Sequence, residues 1–389
     1  MPRWFQHTNG RRIIGSLFLF VGSTLFTLLI LELTLQILVG LPPIDSTFRL
    51  TQSTYYKRDD YLGWRPQPNV RGVHNKERFF ESTFSTNSQG LRGKEIPKER
   101  RSDEVRVLLL GDSFTWGYGV NDDQTFAARL EQFLRGVRVI NFGVTAFGLE
   151  QEYRYLLSEG LNYHPDLILV NISPNDIEDY DSTRDRSEGF SIPVPPSSPD
   201  PGASVFLKVK RFAAKKSALY NFLIARINSS RPLVNLLVRV GIKSDLAGYD
   251  VLDSDLRPYL RAYPPSLQQG LEHAYDILVK IKQLADSHNI PFAMALIPSR
   301  EQVDPLALTL SLSYTHFQEE DVEMEKLDRL LREFATAHGI TFLSALEEFR
   351  RDSGKNGRLL YFAYGDPHFS PEGHALYARV LAQWIAIHS

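Results

Sequence analysis

The chain has 389 residues, no cysteine and a formal net charge of −2. A length of this order supports one large hydrophobic core with insertions. The missing cysteine excludes disulfides, thiolate zinc sites and a cysteine nucleophile, and the near-balanced charge leaves no electrostatic footprint for nucleic acid.

Arg3, Arg11 and Arg12 precede nineteen residues, Ile13 to Leu31, that carry no charged side chain (IIGSLFLFVGSTLFTLLIL). At about 1.5 Å per residue, such a helix approaches the roughly 30 Å of hydrocarbon in a bilayer. Apolar residues continue past Glu32 and Gln36 to Leu41. A transmembrane helix is therefore expected over 13–41, with Glu32 at headgroup level near its outer end. The arginines put residues 1–12 in the cytoplasm and the rest of the chain outside the plasma (inner) membrane. A cleaved signal peptide is the alternative. The run is longer than a typical signal-peptide core, and no clear small-x-small site follows it.

Residues 42–100 are polar, with short alternating stretches and turn formers such as Asn69 and Gly72. They read as a juxtamembrane region with a few strands, packed on the main domain. From Val105 the pattern changes. Apolar runs end at Leu110, Phe142, Ile172 and Ile297 and near Leu343, and each reads as a strand buried on both faces. Helical stripes lie between them: Phe126, Leu130, Phe133 and Leu134; then Tyr153, Leu156 and Leu157; then stretches over 271–288, 324–338 and 371–387. Strands alternating with helices predict an α/β domain over 101–389, in three layers around a parallel five-stranded sheet. Residues 181–264 break the alternation with IPVPPSSPDPG, the basic KVKRFAAKK and an apolar stretch. They read as an insertion, either a solvated excursion or a lid or membrane-surface contact.

Chemistry in open α/β sheets gathers at the carboxyl ends of the strands. Ser113 lies just past the first such end, in LLLGDSFTWGYG. Thr115 stands where G-x-S-x-G requires its last glycine, so the usual nucleophile elbow is not supported. Alone, Gly-Asp-Ser reads equally well as a helix N-cap. The second strand ends in NFGV, which places the Gly143 N–H at the cleft, and the third in NISPND, which places the Asn175 amide there. With the Ser113 N–H, these are the parts of an oxyanion hole. The C-terminal stretch GDPHFSPEGHALYA supplies His368 as a base and Asp366 to hold its tautomer. The bland alternative for that stretch is a capping loop with an incidental histidine, and His374 reads as structural.

Four blocks, GDSFTWG, NFGV, SPND and DPHFSPEGH, occur in an order that resembles the SGNH (GDSL-like) hydrolases. The resemblance implies a flavodoxin-like fold with Ser113 as nucleophile, His368 as base and Asp366 as its partner. It also implies an oxyanion hole made by Ser113, Gly143 and Asn175, and no cofactor or metal. STNSQGLRG upstream looks like bacterial membrane-anchored members. Two positions depart from the family pattern. Ser173 replaces a glycine, and the acid stands two residues before the histidine rather than three.

The expected activity is a membrane-anchored serine esterase that removes O-acyl groups, O-acetyl foremost, from a cell-envelope glycan or lipid. The two-residue acid–histidine spacing also occurs in exopolysaccharide acetyl-transfer relatives, so acyl transfer to a polysaccharide stays open. Two other classes stay open as well: a catalytically silent glycan-binding module, and a metal-dependent phosphoesterase built on Asp112, Asp366 and His368. The complete serine–glycine–asparagine–histidine set argues against the first. The scarcity of clustered ligands argues against the second.

Overall fold

The computed structural model describes residues 55–76, 80–102, 104–177, 256–315, 317–355, 359–362 and 366–388, together with parts of 15–34 and Leu219. The chain divides into two compact units, Met1–Ser46 with Ser197–Val234, and Thr47–Pro196 with Asn235–Ser389.

In the first unit, the described residues between 15 and 34 are helical. The Glu32 carboxylate accepts a 2.9 Å hydrogen bond from the Leu219 N–H, a partner that the sequence did not disclose. Among the described residues no helix is long and apolar enough to cross a membrane. Much of the transmembrane helix expected over 13–41, and nearly all of the insertion expected over 181–264, lie outside the described residues.

The second unit opens with two antiparallel hairpins, β1 (Tyr56–Asp59) with β2 (Gly63–Pro66), and β3 (Arg71–Lys76) with β4 (Phe80–Ser85). Five parallel strands follow: β5 (Val105–Leu110), β6 (Val137–Asn141), β7 (Leu167–Ile172), β8 (Phe292–Leu296) and β9 (Thr341–Ser344). Their spatial order is β6-β5-β7-β8-β9, with every neighbouring pair parallel. Counted along the chain this is order 2-1-3-4-5, the flavodoxin-like arrangement, whose direction of winding reverses between the first and third strands.

The period-two alternation of the strands divides their side chains between two cores. Leu108, Leu110, Ile168, Val170 and Ile172 face one core, where α3 (Leu149–Ser158), α4 (Pro265–Ser287) and α7 (Lys326–His338) pack. Val107, Leu109, Leu169 and Ala295 face the other. There α2 (Phe126–Phe133), α8 (Leu346–Asp352) and α9 (Pro371–His388) pack. Three layers result. Burying each Leu, Ile or Val of this kind is worth about 1.5–3 kcal/mol relative to exposure. Leu256 and Tyr259 belong to the first core as well, so the chain has rejoined the domain by residue 256.

The hairpins are built into this unit. Tyr56 and Leu62 enter the first core beside Leu91 and Ile96. At the amino end of the sheet, the buried Arg106 of β5 donates to the carbonyls of Pro97, Lys98, Glu99 and Tyr163 and pairs with Glu104. This ties the connecting segment to the sheet. A guanidinium suits the task because it carries five donors in a fixed fork.

Candidate active site

The strands β5 and β7 flank the point where the winding reverses. The chain leaving β5 turns through Gly111 and Asp112 into a one-turn helix, α1 (Ser113–Trp116). The Asp112 carboxylate caps this turn, accepting the Phe114 N–H through Oδ1 at 2.9 Å. Gly117 ends α1 in the left-handed conformation, φ 88°, with its N–H donating to the Ser113 and Phe114 carbonyls. That is the C-terminal role in which glycine avoids the Cβ penalty.

Arg92 holds the far end of α1. Its guanidinium donates to the carbonyls of Trp116, Gly117 and Val120 and pairs with Asp122. It also lies over the rings of Phe84 and Trp116. Burial pushes its pKa down and Asp122 opposes that. The sequence contained the signal, since Arg92 sits in the STNSQGLRG stretch, but gave no sign of its partners.

Ser113 and His368 are 255 positions apart in the sequence, and the fold brings the Ser113 Oγ to 2.7 Å from the His368 Nε2. On the other side of the ring, Nδ1 lies 2.8 Å from the Asp366 Oδ1, which also accepts the His368 backbone N–H at 3.0 Å. Asp366 is buried, and the His368 side chain is 17% exposed. An imidazole with its proton on Nδ1 toward the carboxylate has an Nε2 lone pair free to accept the serine hydroxyl. The histidine's backbone is fixed too. Its carbonyl accepts the Phe362 N–H, Tyr361 bridges Phe369, and Ser370 N–H donates to the Leu360 carbonyl. The rings of Phe114 and Tyr118 pack against the imidazole, each with its centroid 4.9 Å away.

The expected oxyanion donors are arranged less simply. Ser113 begins α1, where an N–H has no partner inside the helix. The Gly143 N–H, expected to point into the cleft, donates to the Asn141 Oδ1 at 2.9 Å, while Asn141 Nδ2 donates to the Thr115 carbonyl at 2.8 Å. A buried N–H takes the nearest acceptor, and a short Asn side chain reaches the backbone two residues on. Asn141 thus staples the end of β6 to α1. Gly143 is also needed for space, because a Cβ there would lie 2.3 Å from the Trp116 nitrogen.

After β7, the fully buried Ser173 hydroxyl lies 2.8 Å from both Asp112 Oδ2 and Asn175 Oδ1. The Ser173 N–H donates to Asp176 Oδ2 at 2.8 Å, whose oxygen also lies 3.2 Å from the hydroxyl. Asn175 itself is exposed, and its Nδ2 lies 3.5 Å from Asp112 Oδ2. The departure from glycine at 173 therefore introduces a hydroxyl that links the cap of α1 to Asn175.

Two further histidines border this region. His74 accepts from Trp116 Nε1 and stacks on Phe84, and the His374 Nδ1 accepts the Phe126 N–H. Burial is the first cause that pushes both pKa values well below the ordinary range, and the Arg92 charge adds to it. Among the described residues, no group of three or more histidine, aspartate or glutamate side chains is arranged to hold a metal ion.

Among curated proteins none matches the sequence. Of solved structures, the chain is similar to the acetyl xylan esterase AlAXEase at 12% identity and TM-score 0.39, covering 73% of this chain and 100% of that one. It is similar to a GDSL-like lipase from Bacteroides thetaiotaomicron at 12% identity and TM-score 0.38, covering 76% and 93%. It is also similar to a catalytic mutant of Axe2, an acetylxylan esterase from Geobacillus stearothermophilus, at 12% identity and TM-score 0.36, covering 74% and 96%. The profile of the GDSL-like lipase/acylhydrolase family matches residues 109–376, more than half of the sequence and the whole span from the last residues of β5 into α9. The chain belongs to that family and is a serine hydrolase acting on esters.

Proposed function

We propose that Ser113 is the nucleophile of a membrane-anchored esterase that removes O-acyl groups, O-acetyl foremost, from a cell-envelope glycan or lipid. The observation that carries the reading is the unbroken chain from Ser113 Oγ through His368 to Asp366, at 2.7 and 2.8 Å. His368 Nε2 takes the hydroxyl proton as Ser113 Oγ attacks the acyl carbonyl. The tetrahedral intermediate collapses, and the proton passes to the departing alcohol. Water, activated by the same nitrogen, then hydrolyses the acyl-enzyme. The Ser113 N–H and the Asn175 amide stabilise the oxyanion, joined by the Gly143 N–H once its bond to Asn141 opens or is shared.

The anchor rests on the charge-free run from Ile13 to Leu31 with arginines before it. The full chain should therefore stay with membranes through carbonate extraction. Release into the supernatant would remove the anchor and leave the chemistry untouched.

The chemistry is tested with a fluorophosphonate probe and a short-chain acyl ester. Wild type should be labelled and Ser113→Ala should not. Ser113→Ala and His368→Ala should each lower kcat by roughly 10³-fold or more, and the double variant should be little worse than either, because the pair acts as a unit. Labelling that survives Ser113→Ala would overturn the assignment. Adding a sugar acceptor to the ester assay separates hydrolysis from transfer, because transfer yields an acylated sugar.

A further inference from the structure

We infer that Ser173 is a positioning residue whose hydroxyl fixes the exposed Asn175 amide against the buried Asp112 carboxylate. The inference rests on the role proposed above for Asn175. Ser173 is fully buried, whereas Asn175 is exposed. An exposed amide turns freely about its last torsion, which is broad and nearly two-fold. An oxyanion donor must instead be fixed before the charge develops. Here the amide oxygen lies 2.8 Å from the Ser173 hydroxyl, and the amide nitrogen lies on the side of Asp112 Oδ2 at 3.5 Å.

The hydroxyl is in turn held from beneath. It lies 2.8 Å from Asp112 Oδ2 and 3.2 Å from Asp176 Oδ2, and the Ser173 N–H bonds the same Asp176 oxygen. A hydroxyl has one proton to give and two lone pairs, so it serves one of these oxygens at a time while sitting between them. Asp112 meanwhile caps α1 with its other oxygen. The path from Asn175 through Ser173 and Asp112 to the turn bearing Ser113 is therefore a continuous set of side-chain contacts. A glycine at 173 has no atom to place in it. Ser173 thus couples the donor after β7 to the nucleophile turn after β5 across the reversal point of the sheet.

The test is a double-variant cycle on the full chain, using Ser173→Ala, Ser173→Gly, Asn175→Ala and the Ser173→Ala/Asn175→Ala pair, each with a melting curve and steady-state kinetics. Ser173→Ala should lower kcat by about fivefold or more, the size of one lost hydrogen bond, with KM within about twofold and a modestly lowered melting temperature, because the buried Asp112 oxygen loses a donor. Ser173→Gly should do the same at lower thermal stability, because glycine adds chain entropy. In the Asn175→Ala background, loss of the Ser173 hydroxyl should cost nothing more. A Ser173→Ala variant with normal kcat, or losses that multiply in the pair, would overturn the inference while the Asn175 assignment stood. If Asn175→Ala itself has normal kcat, the oxyanion role fails first and this inference falls with it.

Discussion

Gly143 shows how little room a single residue has at this site. A Cβ there would lie 2.3 Å from the Trp116 nitrogen and 2.5 Å from the Thr115 carbonyl carbon, both backbone atoms of α1. Backbone cannot step aside as a flexible side chain does, so Gly143→Ala must move α1 and with it Ser113. Overpacking of this kind costs about 1–3 kcal/mol, and misplacing a nucleophile by about 1 Å can cost a hundredfold in rate. The expected result is a lowered melting temperature together with a kcat loss larger than the stability loss explains. His374 acts on stability rather than on rate. Burial, reinforced by the charges of Arg92, His368 and Arg129, holds its pKa well below the ordinary histidine value in the folded state. The unfolded chain therefore binds a proton below about pH 6.5 that the folded chain refuses, and stability falls as pH falls through that window. The slope approaches about 1.4 kcal/mol per pH unit for each such histidine, and His74 adds a second. Urea unfolding between pH 5 and 8, read in water at about 25 °C, should show this acid-side loss, and His374→Gln should make it shallower.

At the level of elements, the α/β alternation was legible, and so was the presence of a few strands before it, but not how those strands pair or what they touch. The strand ends expected at Leu110 and Ile172 are where β5 and β7 end. The helix expected over 371–387 is α9, Pro371–His388. Continuous apolar runs and helical stripes encode those elements within their own residues. By contrast, β1 to β4 are short strands that earn their place through distant partners. Thr83 N–H and Ser85 N–H bond the side chains of Asn121 and Asp122, and Trp64 Nε1 donates to the Thr145 carbonyl. No local pattern announces such contacts. For the same reason the sequence drew the catalytic domain from residue 101, whereas Arg92 and the first hairpin are joined to its machinery. Arg92→Met would leave three buried carbonyls without their donor, at about 1–3 kcal/mol each. The variant should unfold early and lose activity, and Arg92→Lys should recover only part of both because an ammonium lacks the planar fork. A chain beginning at residue 101 should fare worse still, failing to show a cooperative melt by circular dichroism. A truncated protein with normal melting and normal esterase rates would show that the hairpins are dispensable.

Taken as a whole, the molecule assembles its reactive centre from residues that the chain makes far apart in time. The sequence singled out Ser113, His368 and Asp366 because their neighbours follow a recognisable order, and the fold brings the three side chains together. It did not disclose the Ser173 link or the Asn141 staple, since both depend on which strand ends become neighbours in the sheet. The separation of 255 positions between Ser113 and His368, its proposed base, has a consequence for biosynthesis. At roughly 5–20 residues per second, a ribosome that has completed the serine needs about 10–50 seconds more to reach the histidine. Throughout that interval the hydroxyl is an ordinary alcohol with no base beside it. On the proposed assignment, the nascent chain carries no activated nucleophile until its C-terminal histidine has been made and folded into place.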